Sequence, residues 1–219
     1  YSDGQEIKYS DLLNILSRIC SCTNLPVSAD IEHGFCNTNE ELANNIKLLI
    51  DSGVVGLNFE DSLIEGGELV SIEEQCDKIR IIRESSKKCG LHIVINARID
   101  IFLASNYDGD KADEAIKRGR SYIAAGADCI FPIFCSNTEL VKMKSQLNCP
   151  INVFAKNDLL SMIELEKMGI ARLSIGPSLL KSAVTNMIRV VDDLKNYKDY
   201  DSFTNSSIIS SSEIEKIIK

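Results

Sequence analysis

The sequence has no basic block, no apolar stretch of bilayer length and no cysteine pair in CxxC spacing. Each absence removes a class of function. With a net charge of −8 and no basic patch, a nucleic-acid backbone is not an expected partner. Without an apolar run of membrane length, no spanning helix is expected. The opening YSDGQEIKYS has neither the basic start nor the apolar core of a signal peptide, so a cytoplasmic location is the expectation. The eight cysteines (20, 22, 36, 76, 89, 129, 135 and 149) are scattered. They are expected to stay reduced, and zinc, which favours clustered Cys and His ligands, is not expected. No low-complexity linker divides the 219 residues. A single domain over 1–219 is therefore expected, with 198–219 a Ser-rich extension ending in a short capped helix.

What is present is a repeat. The segments LIDSGVVGLNFED, KKCGLHIVINARID, AAGADCIFPIF and EKMGIARLSIGP each show a helical end, a glycine (Gly53, Gly90, Gly126, Gly169) and a short apolar run. Glycine ends a helix because it takes the left-handed conformation without a Cβ clash. The Val/Ile-rich runs that follow read as strands buried on both faces. Thr38-x-x-Glu41 and Ser71-x-x-Glu74 have the spacing of capping boxes, and Asp110, Asn137 and Asp158 are candidate N-caps. Helical periodicity marks Leu42, Ile46, Leu49 and Ile50, and again Leu180, Ala183, Met187, Val190, Val191 and Leu194. The spacing predicts a helix over 9–20 and strands near 26–30, 54–59, 92–97, 128–133, 150–155 and 171–175. Strict alternation implies a parallel sheet. Six strands fit an open doubly wound sheet, although no Gly-x-Gly-x-x-Gly follows the first strand, and eight would close a (β/α)8 barrel.

Parallel α/β folds place their chemistry at the C-terminal ends of strands. Those positions read Asp30-x-Glu32, then Glu60-Asp61, then Asn96-x-Arg98-x-Asp100, with milder ends at Pro132, Lys156-Asn157 and Gly176-Pro177. Converging carboxylates repel one another unless a cation neutralises them. Hard oxygen ligands favour Mg²⁺ or Mn²⁺. Arg98 offers a planar fork for a carboxylate or phosphoryl group. A metal beside an arginine suits a small 2-oxo acid, whose developing enolate needs Lewis-acid stabilisation. Acidic residues also favour helix starts for purely structural reasons, but three acidic strand ends and an arginine together point to a site. His33 is read as a solvent-facing loop residue and His92 as structural. The loop before Pro177 allows a weaker phosphate-site reading.

Over roughly residues 1–197 the chain resembles the isocitrate lyase/phosphoenolpyruvate mutase superfamily. The resemblance rests on PVSADIEHGF, GVVGLNFED, INARID, AGADCIFPI, PINVFAK and GIARLSIGP, in that order. It implies a (β/α)8 TIM-type barrel that binds Mg²⁺ and 2-oxo acids and cleaves or forms C–C or P–C bonds beside an enolpyruvate unit. Carried over by position, Asp30 is the principal metal ligand, and Glu32 and Glu60 support the metal through water. Glu60 and Arg98 serve catalysis, Arg98 holds the substrate carboxylate, and Asp3 lies beside the substrate and metal. The resemblance also implies a homo-oligomer with a swapped C-terminal helix.

The sequence departs from that pattern in places. The family's first two strands would precede Tyr1, so a barrel lacking them is expected. Cys36 stands where a glycine is common. The loop SLIEGGELVS after Asp61 carries neither the KKCGH-type cysteine of the lyases nor the mutase's Lys and Asn. KKCG at 87–90 is a decoy, because it ends a helix on the far side of the barrel. The expectation is therefore an Mg²⁺-dependent lyase, decarboxylase or hydrolase acting on a small 2-oxo acid. The alternative is a non-catalytic shortened barrel acting as a binding protein.

Overall fold

The computed structural model describes residues 5–62, 68–196, 200–204 and 208–218. The chain divides into two compact units, Tyr1–Ser174 and Ile175–Lys219. The first alternates helix and strand: α1 (Tyr9–Ser21), β1 (Ser28–Asp30), α2 (Asn39–Asp51), β2 (Gly56–Glu60), α3 (Ile72–Lys88) and β3 (Val94–Ile99). It continues through α4 (Lys111–Ala125), β4 (Cys129–Pro132), α5 (Asn137–Gln146), β5 (Asn152–Phe154), α6 (Met162–Met168) and β6 (Arg172–Ser174). The second unit holds α7 (Ser178–Lys195), α8 (Asp201–Thr204) and α9 (Ser211–Ile218). Among the described residues no helix is long and apolar enough to cross a membrane.

Strands β1 to β4 pair in chain order, every pair parallel, and β5 pairs parallel with β6. A parallel bridge between Ile130 and Ile151 joins the two sets. This is the expected α/β architecture. Its punctuation is glycine: Gly53, Gly90, Gly126 and Gly169 all have positive φ, and Gly126 and Gly169 cap α4 and α6 directly.

Helix starts differ in detail from the sequence reading. Thr38 and Ser71 accept from the N–H groups of Glu41 and Glu74 as expected, but the Glu41 carboxylate accepts from Asn37 rather than closing the box on Thr38. Asp110 caps α4 through two amides. The N-caps of α5 and α6 are Ser136 and Ser161, each in a full capping box with Glu139 and Glu164. Asn137 is instead the first helical residue of α5, and its side chain donates to the Asp158 carbonyl. A serine with glutamate three residues on satisfies two orphan amides and outcompetes a lone Asn or Asp. In the second unit Ser210 accepts from Glu213 N–H ahead of α9, the capped helix anticipated there.

Alternate strand residues face opposite sides. On one face Leu57, Phe59, Ile95, Ala97, Ile99 and Ile130 are buried together with Leu42, Ile46 and Leu49 of α2 and Ile79 and Ile82 of α3. The other face carries polar rows, because the register sets Asp30 beside Asn58 and Asn58 beside Asn96, then Glu60 beside Arg98. Burial on both faces holds for β2 and β4, whereas β6 leaves Arg172 exposed and Leu173 and Ser174 only partly buried, and β1 leaves Ser28 and Asp30 exposed. Among the described residues β1 has a neighbour on one side only. On α7 the periodic apolar residues stay exposed, Leu180 at 67% and Met187 at 57%.

Candidate active site

The turn leaving β1 is tight and strained. Glu32 and Phe35 have positive φ (46° and 53°), and Gly34 lies at 99°. A Cβ at Gly34 would sit 2.8 Å from Leu42 Cδ1, so only glycine lets the turn lie flat on α2. Four hydrogen bonds hold its course. Asp30 Oδ1 accepts the Glu32 N–H at 3.1 Å, Asn45 Nδ2 donates to the carbonyls of Gly34 and Phe35, and the Gln5 N–H donates to Glu32 Oε1.

The result brings Glu32 and His33 against Glu60 at the end of β2. One donor atom from each of the three lies within 4.8 Å of the others. His33 Nε2 is 3.1 Å from Glu60 Oε1, with the His33 side chain 16% exposed. Arg98, the register partner of Glu60, ion-pairs with Glu60 Oε2. Its fork also grips Asp100, Nε to Oδ1 at 2.7 Å and Nη2 to Oδ2 at 2.9 Å. Ser62 Oγ donates to the same Asp100 Oδ2 at 2.6 Å. Behind this layer the Asp100 N–H donates to Asp61 Oδ1, and Asp61 Oδ2 accepts from Arg118 Nη1 and Tyr122 Oη.

Burial pushes the Glu60 carboxyl up to about 8, with Arg98 pulling it down and Asp100, Asp30 and Glu32 pushing it further up. Burial lowers the His33 imidazole below its ordinary value, with Asp100 opposing and Arg98 acting in the same sense. Burial alone would lower the Arg98 guanidinium, but Asp100 and Glu60 raise it above its ordinary value. Burial also raises the Asp61 carboxyl, against the pull of Arg118 and Tyr122. The donor set fits a divalent cation. It offers two carboxylates and an imidazole at mutual ligand distance, and a Glu60 carboxyl that burial and the neighbouring carboxylates keep raised despite Arg98.

Of the residues singled out in the sequence, Glu32, Glu60 and Arg98 come together here. Asp30 stands beside them, tied to Asn58 Nδ2 and the Glu32 N–H. Asp3 lies outside the described residues, as do positions 63–67 of the loop after Ser62. His33 is no solvent-facing loop residue; the strained turn folds its ring onto Glu60. The available signal was its place between Glu32 and Gly34, in a chain with only two histidines. His92 is structural in its geometry, with Nε2 2.7 Å from Asp128 Oδ1 at the start of β3. Cys89 caps α3 and is exposed, before β3 rather than after it.

The 2-methylisocitrate lyase of Escherichia coli (strain K12) is 31% identical over 129 residues, 56% of this chain and 41% of that protein. The oxaloacetate decarboxylase of Pseudomonas entomophila (strain L48) is 28% identical over 173 residues, 75% of this chain and 57% of that protein. The chain thus spans about half the length of these curated relatives. The crystal structure of 2,3-dimethylmalate lyase, a PEP mutase/isocitrate lyase superfamily member, superposes with a TM-score of 0.80 at 21% identity. That match covers 97% of this chain and 72% of the other. The α/β fold with parallel strands is accordingly that of the TIM-type barrels of this superfamily. The phosphoenolpyruvate phosphomutase family model matches residues 1–195, and the chain belongs to that family.

Proposed function

We propose that the chain binds a divalent cation, Mg²⁺ or Mn²⁺, and acts as a lyase-type enzyme. The bond it breaks, C–C or P–C, lies next to a small 2-oxo acid. The observation that carries this reading is the meeting of Glu32, His33 and Glu60 beside Arg98 at the ends of β1, β2 and β3. The names of its relatives, a methylisocitrate lyase and an oxaloacetate decarboxylase, support the same reaction class.

Asp30, Glu32 and Glu60 would hold the cation, with His33 as a further donor. When bound, a divalent cation supplies Lewis-acid stabilisation of an enolate. The chain's own residues do the rest. Arg98 spends Nε and one Nη2 hydrogen on Asp100 and one Nη1 hydrogen on Glu60, which leaves an N–H on each Nη atom for a substrate carboxylate. Glu60 touches both His33 and Arg98, so it aligns the acid-binding guanidinium with the cation cluster. Asp100, gripped from both sides by Arg98 and Ser62, fixes the plane in which Arg98 presents itself. Asp3 would complete the substrate side. A homo-oligomer in the cytoplasm remains part of the proposal.

The test is thermal melting with Mg²⁺ and oxalate, a planar stand-in for enolpyruvate. At about 100 times Kd a bound molecule stabilises by roughly 2.7 kcal/mol, or roughly 5–10 °C for a chain of this size. A shift that needs both components and disappears in Asp30→Asn supports the assignment. A melt unmoved by both together sinks it and puts the non-catalytic binding reading first.

A further inference from the structure

The polar row below the cluster forms a directed chain. Asn96 Nδ2 donates to Asn58 Oδ1 at 2.8 Å, Asn58 Nδ2 donates to Asp30 Oδ2 at 3.3 Å, and Asp30 Oδ1 accepts the Glu32 N–H at 3.1 Å. The three side chains stem from register partners on β1, β2 and β3. Its direction is forced. A carboxylate only accepts, so Asn58 must turn its NH₂ toward Asp30 and its oxygen toward Asn96. Asn96 must then show its own NH₂ to Asn58. The cost is visible at the far end: Asn96 is 1% exposed, and its Oδ1 finds no hydrogen-bond partner among the described residues. A buried acceptor left unmade costs more than a typical bond gains, so the row is not explained by stability alone.

We propose that Asn58 and Asn96 are positioning residues for the cation cluster. They hold the Asp30 carboxylate, and through it the strained turn that brings Glu32 and His33 against Glu60. The unpartnered Asn96 Oδ1 is left as an acceptor for a water or hydroxyl group at the floor of the site. Neither asparagine belongs to the set of cation-holding groups, so each acts through Asp30. The inference rests on the cation site proposed above.

The experiment is a Mn²⁺ titration of the whole chain by calorimetry, made on the unaltered protein, Asn96→Leu, Asp30→Ala and the double variant. Outer-shell partners of metal ligands are worth about 10–100-fold in affinity. Asn96→Leu should therefore bind Mn²⁺ at least about tenfold more weakly, and add little further loss in the Asp30→Ala background. Equal losses in both backgrounds would mean a general structural effect and overturn the relay. Unchanged affinity in Asn96→Leu, with the unaltered chain binding normally, overturns the relay while leaving the cation site standing. Failure of the unaltered chain to bind Mn²⁺ overturns both. If Asn96→Leu does not fold, Asn96→Ala takes its place. It removes the donor to Asn58 without adding a charge, and should weaken Mn²⁺ binding in the same Asp30-dependent way.

Discussion

Asp61 and Arg118 meet at 2.9 Å in the interior, with Asp61 wholly buried and Arg118 6% exposed. Tyr122 closes the group by donating to the same carboxylate oxygen at 2.7 Å. Because Asp61 also accepts the Asp100 N–H, this group anchors the strand end on which Arg98 stands. Arg118→Met leaves a buried charge without its partner and should cost about 3–5 kcal/mol. Tyr122→Phe removes one buried hydrogen bond and should cost about 1–3 kcal/mol. Urea titration reads both as a lower midpoint at unchanged slope. An Arg118→Met chain within about 1 kcal/mol of the original would show that the pair contributes nothing net.

Gly34→Ala places a methyl group 2.8 Å from Leu42 Cδ1 at a φ of 99°. Strain of this kind costs about 1–3 kcal/mol. The melting temperature should fall, and the oxalate-dependent shift should weaken with it because Glu32 and His33 ride on this turn. A variant that melts like the parent and keeps that shift would show that the turn tolerates a side chain.

Arg98→Lys keeps the charge but loses the fork on Asp100. Such a change is not conservative at a bidentate site. Oxalate should no longer raise the melting temperature. The variant should also be about 1–3 kcal/mol less stable, as expected for the loss of charge-assisted bonds. Retained oxalate binding at parental affinity would remove Arg98 from the acid-binding role.

Thiol labelling separates the cysteines by burial. Burial pushes Cys129 up to about 11 and Cys135 up to about 12, so both stay protonated and shielded near neutral pH. Cys22 and Cys89 are exposed. Iodoacetamide followed by peptide mass spectrometry should find label on Cys22 and Cys89 in the folded protein. Label on Cys129 and Cys135 should come only after denaturation. Early labelling of Cys135 would mean that the turn after β4 opens in the native state.

The strands and the acidic strand ends were legible because periodicity and glycine punctuation are local signals. The fate of each acidic group was not. Glu60 and Asp61 are adjacent in sequence, yet Glu60 faces His33 and Arg98, while Asp61 turns to Arg118 and Tyr122 57 and 61 residues away. Which neighbour enters the site depends on strand parity and on a partner from α4, and neither is written in the motif. The placement of His33 is hidden from the sequence for a related reason. Its exposure is decided by a turn in the left-handed region, and composition carries no such information. The Asn96-x-Arg98-x-Asp100 spacing does not show that Asp100, two positions along, takes the Nε and one Nη2 hydrogen of Arg98.

Glu32, His33 and Glu60 leave two neighbouring strands, β1 and β2, paired from Ser28–Gly56 to Asp30–Asn58. These three groups thus lie on one contiguous stretch of chain, and Arg98 joins them from the end of β3. The ends of β4, β5 and β6 lie on other stretches and share no residue with it. Mutations can accumulate there without disturbing the carboxylates, much as loop variation diversifies barrel enzymes.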